Sequence, residues 1–458
     1  MTLLAYRYAL DPTPTQDRAL RAHAGAARVA FNWGLARVKA VLDQRAAERT
    51  YGIAGDGLTP SMSWSLYSLR RDWNAAKEVV APWWRECSKE AFNTGLDQLA
   101  QALQNWQSSR TGTRKGNRVG FPRFKSKHRS RPAVRFTTGA IRCTAQHAVL
   151  PRLGRLRLHE DASTLVRKVQ AGRARIRSAT VRFERGRWFV AFTVEAELTR
   201  AAPAQPDAVV GVDLGITTLA VLSTGPQAPN SRYLGAALRT LRRRSRTLSR
   251  RQGPYDPATR RRRPASNRWR RAAAALGRAH GRVADQRRDG LHKLTTRLAA
   301  EFGTVVVEDL NVAGMGTNRR LSRHLADASF GELRRQLSYK TAWHGSRLIV
   351  ADRWFASSKT CSGCGAVKTK LALSERTYAC TTCGLVVDRD LNAARNLAEY
   401  GQQEIAASGA EIPNGRGADR QTPRGVQVAV KRQPGTALAG ETGTVPRQRG
   451  TVAETAHS

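Results

Sequence analysis

Four cysteines constrain this chain more than any other feature. Cys361 and Cys364 are separated by two residues, fifteen residues intervene, and Cys380 and Cys383 repeat the spacing. Two such pairs at that distance match the four-thiolate zinc template, a small ribbon folded around one ion. Gly365 and Gly384 each follow the second cysteine of a pair, where the tight knuckle needs a residue free of Cβ strain. Four thiolates close the coordination sphere, so the expected Zn²⁺ is structural. The competing reading, a pair of disulfides, is disfavoured because no secretory signal is recognisable and the remaining cysteines, Cys87 and Cys143, are scattered.

Three acidic residues flank this ribbon or precede it, each where a strand ends or a new element starts. The apolar run Val209 to Val212 reads as a buried strand with Asp213 at its end, and Leu219 to Leu222 reads as its antiparallel partner beyond Gly215. Thr304 to Val307 is another short apolar strand, and Glu308 is its first polar residue. Val386 and Val387 end a third strand, after which Asp390 is expected to cap a helix from Leu391. A single acid closing a strand is commonly a solvated end or a helix cap. Three of them gathered from adjacent strand ends can hold two Mg²⁺ about 3.5 to 4 Å apart and cut a phosphodiester.

Charge points the same way. A net charge of +43 on 458 residues, with 78 basic against 35 acidic side chains, calls for a polyanionic partner. Hydrophobic residues at 41% still allow a substantial core, which excludes a histone-like tail, and the length suits two to four domains. No run of about eighteen apolar residues is present, so the expectation is a cytoplasmic protein without a membrane partner.

Toward the N-terminus, Thr13, Pro14 and Gln16 supply a helix start with cap, N1 proline and N3 amide. Leu20, Ala24, Ala27, Phe31, Leu35, Val38 and Leu42 then form one apolar face, and Phe92, Leu96, Leu99, Leu103 and Trp106 form a second. Alternating residues Ala179, Val181, Phe183 and Trp188, Val190, Phe192, Val194 predict a hairpin turning at Arg185 and Gly186. With Leu4 to Ala9 and the region 150–158 this suggests a small β-barrel. Arg123, Lys125, Lys127, Arg129 and Arg131 lie between helix and barrel as candidate phosphate contacts, while Phe121 and Phe124 are expected in the core. Past a linker at 199–207, a helix around Leu234 to Leu248 carries Arg242, Arg243 and Arg244. A loop with Arg260 to Arg263, including Arg261 and Arg262, leads to a second long helix. Arginines on those two helices could hold a nucleic-acid duplex by its phosphates without reading its sequence.

Taken in order, GVDLG, VVVEDLNVAGM, SSKTCSGCG and YACTTCGLVVDRDLNAARNL resemble the TnpB (OrfB) family, encoded by bacterial insertion sequences and related to type V CRISPR effectors. YRYALDPTPTQ, FNWGL and GFPRFKSK resemble that family's N-terminal half, so the likeness runs over about residues 5–400. The resemblance implies an RNA-guided DNA endonuclease that takes a guide RNA and target DNA as partners. It implies an α/β fold with β-barrel and helical segments: an RNase H-like (RuvC) nuclease domain with a zinc-ribbon insertion, preceded by a wedge-type β-barrel with an inserted helical recognition segment. The implied divisions are a wedge at 1–10 and 130–198, helical recognition at 11–129, nuclease at 208–356 and 385–400, and ribbon at 357–384. Beyond about Gly401, where Gly, Pro, Thr, Arg and Gln dominate and no periodicity survives, a disordered tail is expected at 401–458. By position, Asp213, Glu308 and Asp390 match the family's catalytic, Mg²⁺-binding acids, and Arg376 matches an arginine near the scissile strand. Asp388 is the near miss, since the family acid stands two residues before the asparagine that is Asn392 here. An unguided transposase with RNase H-type acids, or a nucleic-acid-binding regulator, stay open as alternatives. Oligomeric state is not legible, with a monomer the expectation, and the chain should lie at the bacterial nucleoid.

Overall fold

A computed structural model describes residues 2–408, apart from 128–129, 138, 198–201, 260, 263–264 and 373. The chain begins β1 (Thr2–Ala9), α1 (Pro14–Thr50), α2 (Leu66–Val80) and α3 (Lys89–Arg110). The start of α1 carries the expected capping box, with Gln16 N–H donating to Thr13 Oγ1 and Thr13 N–H to Gln16 Oε1. Leu20, Phe31, Leu35 and Val38 on α1 pack with Leu96, Leu99 and Leu103 on α3 in one core. Helix α2 has too short an apolar stripe to stand out in the sequence. It docks through Leu69 and Trp73, the latter stacked on Phe92 at 5.1 Å.

Next come β2 (Ala133–Phe136), β3 (Arg142–Cys143), β4 (His147–Leu150), β5 (Gly154–Arg157), α4 (Ser163–Gln170), β6 (Ala174–Glu184) and β7 (Arg187–Ala196). The β6–β7 hairpin turns where expected, with Arg185 and Gly186 both at positive φ as a two-residue type I′ turn requires. The expected barrel needs correction. The strands form a four-stranded sheet, β1-β7-β6-β2, and a separate three-stranded sheet, β3-β4-β5, joined by the Leu10–Leu158 bridge. Closure requires staggered strands that continue the ladder around. Here β2 is four residues long and pairs only with 179–182, so among the described residues the ladder stays open. Phe121 packs edge-on to Trp106 as expected, but Phe124 is exposed and is not a core residue.

The second half runs β8 (Gln205–Asp213), β9 (Thr218–Leu222), β10 (Gln227–Pro229), α5 (Tyr233–Arg250), β11 (Tyr255–Asp256), β12 (Arg261–Arg262), α6 (Asn267–Glu301) and β13 (Phe302–Glu308). It continues α7 (Val312–Met315), α8 (Ser322–Ala328), α9 (Phe330–His344), β14 (Arg347–Ala351), β15 (Thr377–Ala379), β16 (Val386–Asp388) and α10 (Arg389–Ala407). Because β8 starts at Gln205, the expected linker is partly strand: Gln205 pairs with Phe302 before the apolar run begins. The five-stranded sheet has the order β10-β9-β8-β13-β14, antiparallel on the β9 side and parallel through β13 and β14. Val305 and Val307 face Leu291, Leu298 and Leu337 of α6 and α9, while Val306 faces Leu397 of α10, so β13 is buried on both sides. The expected tail also starts late. Helix α10 continues through 401–407, where buried Gly401 lies against Val306 and Val209, and the rest of that segment, 409–458, lies outside the described residues.

Candidate active site

Strand pairing brings the predicted acids to one end of the sheet. Asp213 and Glu308 close the adjacent parallel strands β8 and β13, one residue beyond the Val212–Val307 pair. Asp390 arrives from the other direction, in the first turn of α10, which crosses β8. The crossing is close because Gly211 has no side chain: a Cβ there would lie 1.9 Å from the Ala394 carbonyl oxygen. Burial first, and then the charges of Glu308 and Asp390, push the Asp213 carboxyl up to about 8 against a partial offset from Arg389.

Asp390 does not cap the helix, contrary to expectation. Asp388 is the N-cap, its Oδ1 accepting from the backbone N–H of Asp390 and Leu391 at 3.0 Å each. A cap residue's carboxylate is committed to the helix end. Two residues on, the Asp390 carboxylate is free of the cap, close enough for its charge to act on Asp213, and 3.8 Å from the Arg376 guanidinium. Arg376 itself is mostly exposed on β15's approach, and its carbonyl accepts from the Arg389 N–H at 2.8 Å.

Several residues that the sequence reading passed over tie this centre to the ribbon. Buried Ser357 hydrogen-bonds through Oγ to Glu308 Oε1. Its carbonyl accepts from Asn396 Nδ2 at 2.6 Å, and the Thr360 carbonyl accepts from both Asn392 and Asn396. Asn392 Oδ1 in turn accepts from the Ser362 N–H at 2.9 Å. The signal was present: two asparagines four apart, among the Ala and Leu residues of an amphipathic helix, share one face, and buried amides must find partners. On the far side of Glu308, Asp309 is gripped by Arg334 and, at 2.7 Å, by Arg353. Together these contacts fix the strand end that presents Glu308.

The four cysteines converge as their spacing requires, with all sulfurs within 4.8 Å of one another. Cys361 to Cys383 is 3.6 Å and Cys364 to Cys380 is 3.7 Å. A tetrahedron with zinc–sulfur bonds of 2.3 Å has edges of about 3.8 Å, whereas a disulfide is about 2.05 Å. The chemistry of the donor set therefore fits Zn²⁺. Backbone N–H groups of Cys383 and Thr382 hold the Cys380 thiol down at about 6, favouring the thiolate that a metal needs. Tyr378 is fully buried beneath the site, its hydroxyl donating to the Lys359 carbonyl. The β15–β16 hairpin pairs Thr377 with Asp388, so the ribbon runs on into the helix that carries Asp390, four residues beyond its expected end.

The basic candidates divide. Arg242 and Arg243 are exposed on α5 and line a recess of about 560 Å³ with Arg239 and Arg246. Arg244 instead points inward, donating to the Ala275 carbonyl of α6 and tying the two helices together. Arg262 is exposed beside Tyr255, whereas the Arg261 side chain, Arg260, Arg263 and Arg129 lie outside the described residues. Arg123, Lys127 and Arg131 are exposed. Lys125 is not a free cation: its ammonium sits 3.8 Å over the Phe31 ring and bonds Gln98, and burial brings it down to about 8.

The chain is similar to several known proteins. The family described as "Probable transposase" (OrfB_IS605) matches residues 190–319, and the "Cas12f1-like, TNB domain" matches 330–397. A "Helix-turn-helix domain" matches residues 1–46, which here are strand β1 and most of the single helix α1. The protein named "Putative RNA-guided DNA endonuclease Rv2885c" from Mycobacterium tuberculosis is 41% identical over 442 residues, spanning 92% of this chain and 91% of that protein. "Putative RNA-guided DNA endonuclease InsQ" of Escherichia coli is 28% identical over 90% of this chain and 96% of its own length. Among solved structures, a Cas12f1 chain from a complex with guide RNA and target DNA aligns with a TM-score of 0.46 at 14% identity, covering 84% of this chain and 83% of that one. With 41% identity to a relative across nearly its whole length, the chain belongs to the TnpB (OrfB) family.

Proposed function

We propose that this protein is an RNA-guided DNA endonuclease that hydrolyses phosphodiesters at an RNase H-like centre. The single observation that carries the reading is the convergence of Asp213, Glu308 and Asp390, where burial together with the charges of the other two acids lifts the Asp213 carboxyl to about 8. Nothing structural calls for three carboxylates crowded at one sheet end, and repulsion of this kind is what a bound divalent cation offsets. The sheet order β10-β9-β8-β13-β14, with acids ending both central strands, supports the RNase H-like assignment. Relatives named as RNA-guided DNA endonucleases align over more than nine-tenths of the chain, which supports guidance by RNA.

Oxygen donors of this kind suit Mg²⁺ or Mn²⁺. Such ions, when bound, activate a water for attack and stabilise the leaving oxygen. The chain's own part is to orient and to exclude. Ser357 holds one oxygen of Glu308, the Asp309 fork with Arg334 and Arg353 fixes the same strand end from the other side, and Asp388 sets the first turn from which Asp390 projects. Arg376, beside Asp390 and mostly exposed, is positioned to meet a phosphate of the strand being cut. Outside the centre, Arg242 and Arg243 on α5, with Arg262, form a surface that grips a duplex by its backbone, so base pairing with a guide supplies the sequence information. The four-thiolate ribbon holds Zn²⁺ as a structural clamp between Glu308 and Asp390, and the N-terminal sheets and helices serve as wedge and recognition segments.

The test is to purify the protein with the RNA of its own locus and to supply DNA matching that RNA. Exchanging the guide segment should move the cut with no change in protein, and Asp213→Ala, Glu308→Ala or Asp390→Ala should abolish cutting while sparing target binding. RNase-treated protein that cut one fixed DNA sequence would replace this reading with the unguided transposase.

A further inference from the structure

Trp354 is the residue whose setting the nuclease reading leaves unexplained. Tryptophan is the largest apolar side chain, and it is normally buried over most of its area. Trp73 and Trp188 are each 3% exposed, yet Trp354 is 86% exposed. Exposure of this degree in a flexible loop would mean little, but the loop that carries Trp354 is tied down at almost every residue. It leaves β14 at Ala351, the residue paired with Glu308 in the sheet. Asp352 Oδ1 accepts from the Trp354 N–H at 2.8 Å, and the Asp352 carbonyl accepts from the Phe355 N–H at 3.0 Å. Arg353 bonds the Asp309 carboxylate, and the Phe355 ring packs on Tyr400 of α10 at 4.9 Å. At Ser357 the loop comes back to hydrogen-bond Glu308 itself.

Trp354 is therefore the apex of a short arch whose two feet both touch Glu308 or its strand partner. It lies three positions from either foot, and three Cα-to-Cα steps span at most about 11 Å. A rigid arch that holds an indole in solvent beside a carboxylate centre has the form of a stacking platform. Apolar burial against another protein would call for a patch around it, but its neighbours Arg353 and Asp352 are charged and exposed. The chain as a whole carries a net charge of +43, so the natural occupant of an exposed indole held beside Arg353 is a polyanion with flat faces.

We propose that Trp354 stacks on a nucleobase of the DNA strand being cut, within a few nucleotides of the scissile phosphate, and so feeds unpaired strand into the acidic centre. This rests on the nuclease reading above. Stacking is tolerant of base identity because every base has a π face, so the contact positions the strand without adding sequence preference. The arch makes the platform stiff, which limits the ordering cost of binding.

The experiment compares Trp354→Ala, Trp354→Phe and Trp354→Leu in the protein purified with its own RNA. Alanine and leucine should raise the substrate concentration for half-maximal cleavage by about 5- to 150-fold, the range set by loss of one stacked base, with a much smaller change in maximal rate. Phenylalanine should recover most of the loss, because it restores an aromatic face and leucine does not. Wild-type values for the alanine variant, or recovery by leucine equal to that by phenylalanine, would overturn the proposal while leaving the nuclease reading intact. A second arm does not depend on cutting: an Asp213→Ala complex is titrated with a short single-stranded oligothymidylate while tryptophan emission is followed. Quenching should be strong there and largely absent when Trp354→Phe is added. Equal quenching in both would defeat the stacking platform, whereas quenching without any wild-type cleavage would count against the nuclease reading alone.

Discussion

Gly211→Ala is the sharpest test of how this fold builds its centre, because the substitution adds one methyl group and removes none of the acids. Gly211 lies two residues before Asp213 on β8, with the α10 backbone directly across it. A Cβ at that position would stand 1.9 Å from the Ala394 carbonyl oxygen and 2.5 Å from the Ala398 nitrogen. Ordinary contact begins at 3.4 Å, so α10 must retreat by about 1.5 Å or tilt. Both clashing atoms are backbone, and no side-chain rotamer can relieve them. Overpacking of this kind costs about 1 to 3 kcal/mol. A functional cost of similar size should come on top of the stability cost, because Asp390 rides on the displaced helix while Asp213 and Glu308 stay with the sheet. A misplacement of about 1 Å can lower a rate about 100-fold. The assay is guided DNA cleavage alongside thermal unfolding, with Gly331→Ala as control, since a Cβ there meets nothing within 4 Å. A folded Gly211→Ala protein that cut at the wild-type rate would refute the argument that α10 seats Asp390 through this contact.

Three further outcomes follow from the same geometry. Cys361→Ser or Cys380→Ser should release stoichiometric zinc, measured by atomic absorption, and reduce cleavage indirectly by loosening the ribbon between Glu308 and Asp390; retained zinc in the double variant would place the metal elsewhere. In a chelator, the raised Asp213 carboxyl means that the folded chain binds a proton which the unfolded chain, with its ordinary value of 3.8, has released. The group's contribution to stability should then fall as pH rises from about 4 to about 8, and Mg²⁺ should flatten the melting-temperature profile; a chelated Asp213→Asn protein with the wild-type profile would rule out this assignment. Neutralising Arg242 and Arg243 together should weaken binding to all targets alike and lower the salt slope by about 2, with an unchanged slope showing that α5 touches no phosphate.

What could be read in the chain depended on whether a residue's role was local. Cysteine spacing is a local rule, and the four sulfurs meet as the two C-x₂-C pairs predict. Each acid was legible because a strand end is a local pattern, and parallel pairing of β8 with β13 then sets Asp213 beside Glu308 without further instruction. The third element was read less well: the segment VVDRDLN holds two aspartates, and only the backbone path decides that Asp388 spends its carboxylate on the helix end. Lys125 and Arg244 were read as phosphate ligands from charge alone, but charge does not say which way a side chain points. Lys125 lies over Phe31 and Arg244 bonds a neighbouring helix. The supposed barrel failed for a related reason, since alternation reports one buried face per strand and is silent on whether the last strand meets the first.

The contacts that escaped notice are those whose partners are distant in sequence. Ser357 and Glu308 are 49 residues apart, and Asn396 reaches back 39 residues to the Ser357 carbonyl. Through them the ribbon's entry loop is bonded to the strand end of Glu308 and to the helix of Asp390 at once. That arrangement explains why a structural metal site should lie between two members of an acid trio at all. The segment from β14 to α10 must bring residues 357–362 back against Asn392 and Asn396, and a short closed ribbon brings its ends together at little entropic cost once an ion crosslinks it. Zinc binding and the placing of Asp390 are on this view one folding event, so the four thiolates act on cleavage without ever touching DNA.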